Sequence, residues 1–172
     1  MDIYKTSNIV RHELRWGGHI NKISSVEDSI SFSLKLMPAM RCVQIYIANP
    51  RCFNPPAITS EDMVKTSNLI KYQDIKLYIH SSLAINLAGS VDPADIDINM
   101  KTKRAISCLS TEMDYASICG CSGTVVHIGS HTDKPEGYRR VRDAFKMALV
   151  KESPATLKLS KETKTPKDPF GR

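Results

Sequence analysis

The run TVVHIGSH, Thr124–His131, is the stretch that decides the fold class. It begins with apolar β-forming residues, which are typical of a buried parallel strand, and it ends in a histidine and a Gly-Ser turn. The earlier run IKLYIHSS, Ile75–Ser82, repeats this order. Because α/β folds keep their chemistry at the carboxyl ends of parallel strands, two histidines delivered to that edge indicate a metal site.

Strand-like and helix-like segments alternate along the rest of the chain. Strands are predicted at 14–20, 42–48, 75–80 and 124–128, and the alternating segment 156–162 is a candidate fifth strand. Helices are predicted at 26–37, from about 100 to 119 and at 138–151. A further helix is predicted to begin after a cap at Thr59 or Ser60. Such alternation predicts a parallel sheet with crossover helices.

Composition limits the class of protein. The chain has 172 residues, enough for one domain with a sizeable core, and a net charge of +6 that is compatible with a polyanionic partner. Its five cysteines are scattered and its first residues lack the apolar core of a signal peptide, so we expect an intracellular protein of cytoplasm or nucleus, not a secreted one. No apolar run approaches the roughly 20 residues that span a bilayer, so no membrane partner is expected.

Four short motifs carry a family likeness. They are GHI at 18–20, NPR at 49–51, HSSLAINLA at 80–88 and HIGSH at 127–131. In this order they resemble the apurinic/apyrimidinic endonucleases of the endonuclease IV type. The resemblance implies a (β/α)8 barrel with a trinuclear zinc centre, which cleaves DNA 5′ to an abasic site.

The resemblance covers only the first half of the family's barrel. The expected fold class is therefore α/β, an incomplete (β/α)8 TIM barrel with about four βα units and the candidate fifth strand. Residues 14–162 would form this half-barrel, after an N-terminal extension at 1–13 and before a basic tail at 163–172 that we expect to be disordered.

The resemblance also implies a set of metal ligands. His80 and His127 match histidines that bind one zinc ion in the family, and Glu162 falls where a carboxylate bridges two zinc ions. The family holds up to three zinc ions per site. Its further ligands come from strands beyond the fifth, and this chain has no histidine after His131. At most one zinc ion is therefore expected from this chain alone.

Double-stranded DNA with abasic sites is the implied partner. Arg51, with Phe53 behind it, falls in the loop that the family inserts into DNA at the lesion. Leu83 stands where a tyrosine is usual, so one DNA-penetrating side chain is missing. His131 is expected to contact phosphate or a metal ligand rather than to bind metal itself.

Two further residues carry weaker predictions. His19 would lie in the mouth of the barrel, where a substrate contact and a core hydrogen bond are equally good interpretations. Asn86 matches the family motif, and we expect it to hold its loop together. A separate pattern, Cys119-Gly120-Cys121, lacks the spacing of a paired-cysteine metal motif and predicts packing at a helix end instead.

Several functions stay open. One is a zinc-dependent DNA-repair endonuclease, truncated or split, and another is a catalytically inactive remnant that binds zinc or DNA. A sugar isomerase-like barrel shares the architecture, but the His-x-Gly-Ser-His stretch argues against it. Because an open half-barrel exposes strand edges, complete catalysis would need a second chain or a homodimer to complete the barrel.

Overall fold

The computed structural model describes residues 15–54, 56–89 and 96–150, with no side-chain account of 96–99 and 150. Four strands alternate with four helices, which confirms the predicted alternation. The strands are β1 (Gly17–Ile20), β2 (Cys42–Ile45), β3 (Lys76–His80) and β4 (Gly123–Val125). The helices are α1 (Val26–Leu36), α2 (Ser60–Tyr72), α3 (Ile96–Cys119) and α4 (Lys134–Val150). The predicted extension at 1–13, fifth strand, Glu162 and tail lie outside the described residues.

All four strands are parallel and stand in the order β1-β2-β3-β4. Helices α1, α2 and α3 each return the chain to the next strand in line, so the order does not reverse among the described strands. A doubly wound sheet reverses its strand order at a switch point, whereas the wall of a barrel does not. The topology is therefore that of four consecutive βα units of a barrel.

One face of the sheet packs against the helices. On this face every second side chain of the two central strands is fully buried, namely Val43, Ile45, Leu77 and Ile79. These side chains form one apolar cluster with residues of α1, α2 and α3. The other face carries His19, Gln44 and Tyr78 in one register row. We call this second face the open face. A closed barrel turns it inward.

A second apolar cluster fixes the loop after β3. Ile85 and Leu87 of this loop are buried against Leu109 of α3 and Ala148 of α4. The loop is therefore part of a core rather than a free connection, although it follows directly after His80.

The helix ends agree with the capping predictions. Ser25 caps α1 by accepting from the Asp28 N–H at 3.0 Å, and Thr59 caps α2 in a capping box with Asp62. Gly120 ends α3 with φ of 70°, next to the fully buried Cys119. The helix-end interpretation of the two cysteines is thereby confirmed.

Some element boundaries differ from the prediction. Strand β4 ends at Val125, so His127 lies in the following loop and not within the strand. Helix α3 begins at Ile96, a few residues before the predicted start at about 100. Helix α4 begins at Lys134 rather than at 138, because the Asp133 side chain caps it by accepting a hydrogen bond from the Glu136 N–H. Among the described residues no helix is both long and apolar enough to cross a membrane.

Candidate functional site

His80, the last residue of β3, is held in one orientation. Its ring is 6% exposed, and its Nδ1 atom lies 2.8 Å from the carbonyl oxygen of Ser81. Since a carbonyl oxygen only accepts, Nδ1 must carry the proton. In a neutral ring the Nε2 atom then presents a free lone pair, which is the form that binds metal ions.

His127 faces this lone pair from the loop after β4. The two Nε2 atoms, of His127 and of His80, are 3.2 Å apart. Two imidazole nitrogens that bind one tetrahedral zinc ion at 2.0–2.1 Å lie about 3.3 Å from each other. The histidine pair thus fits two neighbouring positions around a single zinc ion. Without a metal ion the same distance accommodates a hydrogen bond donated by His127.

Tyr46 and His19 continue the cluster on the open face. The Tyr46 ring centroid is 4.5 Å from that of His80 and 4.7 Å from that of His19. Gln44 contacts the Nδ1 atom of His19 at 2.8 Å. Burial, and secondarily the charge of His80, lower the pKa of His19, which favours its neutral form.

The Arg51 loop borders the same edge of the sheet. Asn49 accepts from the Arg51 N–H at 2.9 Å, and the Arg51 side chain is exposed. Phe53 is half-buried and packs against the second apolar cluster, where it anchors the loop. Leu83 is 50% exposed and donates its N–H to Pro50 at 2.8 Å. Arg51 and Leu83 are therefore neighbouring exposed side chains on joined loops.

Known proteins resemble this chain over part of their length. No family model matches it. A probable endonuclease 4 of Thermoplasma acidophilum is 33% identical over 136 residues, which are 75% of this chain and 43% of that protein. A probable endonuclease 4 of Halothermothrix orenii is 25% identical over 149 residues, 84% of this chain and 50% of that protein.

A solved structure shares the fold. The crystal structure of endonuclease IV from Thermus thermophilus matches with a TM-score of 0.62 and 20% identity, covering 82% of this chain and 49% of that one. The chain resembles proteins of the endonuclease IV type over part of their length. It spans about half the length of the curated relatives that it matches. The predicted fold class, part of a TIM barrel, is thereby confirmed.

Asn86 lies where the loop after His80 meets the loop that carries His127. It packs against Gly129, whose φ is 86° and where an added Cβ would lie 1.9 Å from the Asn86 Oδ1 atom. The N–H groups of Leu87 and Ala88 both donate to Ile128, at 3.1 and 3.0 Å. These contacts agree with the expected loop-holding role of Asn86.

His131 makes local contacts. Its Nδ1 atom lies 3.0 Å from the N–H and 2.7 Å from the carbonyl of Asp133, just before α4. Glu162, the third predicted ligand, lies outside the described residues. Within the described ranges no group of three or more His, Cys, Asp or Glu side chains converges on one point. The structure thus brings together His80 and His127 of the predicted ligands.

Sequence reasoning missed Tyr46 in the site and one fully buried carboxyl group beside it. Glu112 of α3 is 1% exposed, and its Oε1 atom accepts from the Ser82 N–H at 3.3 Å. Burial raises its pKa to about 7. The signal was present, because Glu112 follows Ala105 and Leu109 and precedes Ala116 at the spacing of one helix face.

Proposed function

We propose that this chain forms half of a zinc-dependent DNA-repair endonuclease that cleaves a phosphodiester 5′ to an abasic site. The observation that carries the proposal is the 3.2 Å separation of the His80 and His127 Nε2 atoms, in a chain similar to endonuclease IV. Active sites of TIM barrels lie at the carboxyl edge of the strands, and a histidine pair at this spacing can supply two of the ligands of a catalytic metal ion there.

His80, His127 and Glu162 would hold the zinc ion. The ion would supply a Lewis acid that polarises a phosphate oxygen. The chain's own contribution is orientation, since the Ser81 carbonyl fixes the ring of His80 and, in the neutral ring, places the free lone pair on Nε2. His19 and Tyr46 extend the polar surface beside this pair and are proposed to contact the substrate.

Arg51 would contact the DNA backbone. Its guanidinium is exposed at the same edge as the histidine pair, and Leu83 next to it offers an apolar surface to a gap in the duplex. Phe53 would keep the loop in place rather than enter the DNA, because its ring is already packed against the second cluster. His131 is proposed as a phosphate contact.

A complete reaction requires further ligands. In-line displacement of a phosphodiester needs charge stabilisation on both the attacking and the leaving oxygen, and two-metal sites meet this need. The described residues supply two ligands, which suit one ion. We propose that a second half-barrel, from a second copy or from another polypeptide, covers the open face and adds the remaining ligands. We also propose that the protein acts inside the cell, in cytoplasm or nucleus, where a DNA substrate would be found.

Native mass spectrometry combined with abasic-duplex cleavage tests this function. We expect about one zinc ion per chain, lost in both His80→Ala and His127→Ala and kept in the control His131→Ala. Cleavage 5′ to the abasic site should require the same two histidines.

A protein that binds zinc but cuts no better than His127→Ala would overturn the enzyme proposal for this polypeptide. It would favour the second candidate, an inactive zinc- or DNA-binding remnant. That candidate is supported by the small number of ligands that converge within the described residues.

A further inference from the structure

Glu112 lies beneath the short segment that follows His80. One carboxylate oxygen accepts from the Ser82 N–H at 3.3 Å. The side chains of Ser81 and Cys108 lie beside the same carboxyl group and act to lower its pKa, against the larger effect of burial. The Oε2 atom of Glu112 and the Ser81 hydroxyl are nevertheless buried without a partner of good hydrogen-bond geometry.

The Ser81–Ser82 segment holds two parts of the candidate site. The Ser81 carbonyl accepts from the Nδ1 atom of His80 at 2.8 Å. The Ser82 hydroxyl lies 3.1 Å from the Pro50 carbonyl and 2.9 Å from that of Cys52, on either side of Arg51. One backbone segment therefore fixes both a proposed metal ligand and the loop proposed to contact DNA.

If Glu112 served only to fill space, its buried carboxyl group would make the fold less stable than an apolar side chain at the same position. Burying a charge without a full set of partners destabilises the fold, and an apolar side chain of similar volume would avoid that cost. What an apolar side chain cannot do is accept the Ser82 N–H, which would then be buried without a partner. The hydrogen bond is thus the property that distinguishes Glu112 from Leu or Met.

We propose that Glu112 is a positioning residue, which holds the Ser81–Ser82 segment and through it sets the ring of His80 and the Arg51 loop. The metal part of this inference rests on the zinc site of the proposed function. The structural part does not, because the contacts of Glu112 are made by the chain itself.

Two variants separate the hydrogen bond from the volume of the side chain. Glu112→Leu keeps the volume and removes the acceptor, and Glu112→Gln keeps an acceptor oxygen. Ile30→Ala in α1 is the control for a general loss of stability, because Ile30 is fully buried and apolar and belongs to the cluster between the sheet and the helices, not to the cluster that holds the loop after β3. The full chain is measured by amide hydrogen exchange without metal and by Zn²⁺ titration against a chelating dye.

We expect Glu112→Leu to speed exchange at the amides of 82–84 and to weaken Zn²⁺ binding about tenfold. Glu112→Gln should restore both quantities to near the wild-type values. Ile30→Ala should lower the overall stability without a specific effect on exchange at 82–84 or on Zn²⁺ affinity.

Unchanged exchange at 82–84 in a folded Glu112→Leu protein would overturn the proposal, as would an equal loss of Zn²⁺ binding in Ile30→Ala. Faster exchange with unchanged Zn²⁺ affinity would overturn its metal part. If the wild-type chain binds no Zn²⁺, the proposed metal site fails, while the exchange measurement still decides on Glu112.

Discussion

At the scale of single residues, burial sets the behaviour of two ionisable side chains near the same segment. His80 satisfies its Nδ1 atom on the Ser81 carbonyl and keeps Nε2 for a ligand. Glu112 accepts from the Ser82 N–H, and its second oxygen has no partner. The first contact decides which nitrogen of a neutral His80 ring is free, whereas burial makes ionisation of the Glu112 carboxyl group costly.

The cost of ionising Glu112 predicts a pH-dependent stability. Its folded pKa of about 7 lies above the ordinary value of 4.5, so the folded chain binds this proton more tightly than the unfolded chain. The free energy of unfolding should therefore fall as the pH rises from about 4.5 to about 7, by up to about 3 kcal/mol. Neighbouring Cys108 stays neutral in this range, because burial raises its pKa to about 12.

Urea unfolding between pH 5 and 8 measures this fall. Glu112→Gln should remove most of it, and the control Glu61→Gln should keep it, since Glu61 is exposed on α2. A fall that persists in Glu112→Gln would assign the pH dependence to another group.

Residue types at the site were more predictable than their geometry. His80 and His127 each follow an apolar run, so the edge that carries them could be predicted. Their 3.2 Å separation depends on ring orientations and on the course of a loop, neither of which the sequence pattern encodes. Glu112 was missed because a single glutamate in a helix is most often on the solvated side.

At the scale of elements, β1 approaches β2 closely enough to require a glycine. A Cβ added to Gly17 would lie 1.5 Å from the carbonyl oxygen of Cys42, and one added to Gly18 would meet nothing within 4 Å. The two glycines are adjacent in one strand, yet only the first is sterically restricted.

Gly17→Ala should therefore detach or shift β1, while Gly18→Ala should be neutral or slightly stabilising. We expect the first change to lower the free energy of unfolding by more than about 2 kcal/mol, and the second to change it by less than about 1 kcal/mol. Chemical denaturation of both variants measures the difference. Equal effects would contradict the close approach of the two backbones.

Element types and order followed from the sequence, and several boundaries did not. The run at 124–128 predicts a longer strand than the three residues of β4. The chain leaves the sheet there because the Ile128 carbonyl accepts from Leu87 and Ala88 of another loop. Leu149, which the apolar spacing from Val141 and Phe145 would turn inward, is 68% exposed because Ala144 and Ala148 occupy the buried stripe of α4. Such tertiary contacts override local periodicity.

At the scale of the whole molecule, the two faces of the sheet differ in cover. Helices bury one face, whereas the open face presents His19 and Gln44, with Tyr78 half-buried beside them. In a closed barrel the inner face is covered by side chains from the opposite strands, and the first and last strands pair with each other, so that no strand edge is left exposed. The described residues make half of that wall, as the match to about half of the solved endonuclease IV chain also shows.

The open face predicts association of the chain with a second copy. We expect dimers in sedimentation velocity at micromolar concentration, and Tyr78→Lys should shift them towards monomers by placing a charge on this face. Tyr72→Lys is the matched control, because Tyr72 is exposed at the end of α2 on the helical side. If the chain stays monomeric at all concentrations, the prediction of self-association is wrong, and the proposed second half-barrel would have to come from another polypeptide.

The closeness of the two Nε2 atoms also bears on how a sample of this protein should be handled. A pair of imidazoles binds Cu²⁺ and Ni²⁺ at least as readily as Zn²⁺, because affinity for nitrogen ligands follows the Irving–Williams order. The proposed site at His80 and His127 would therefore take up Ni²⁺ from an affinity column or trace Cu²⁺ from a buffer. The metal content of a purified sample would then reflect the purification buffers, unless purification avoids transition metals and zinc is added last.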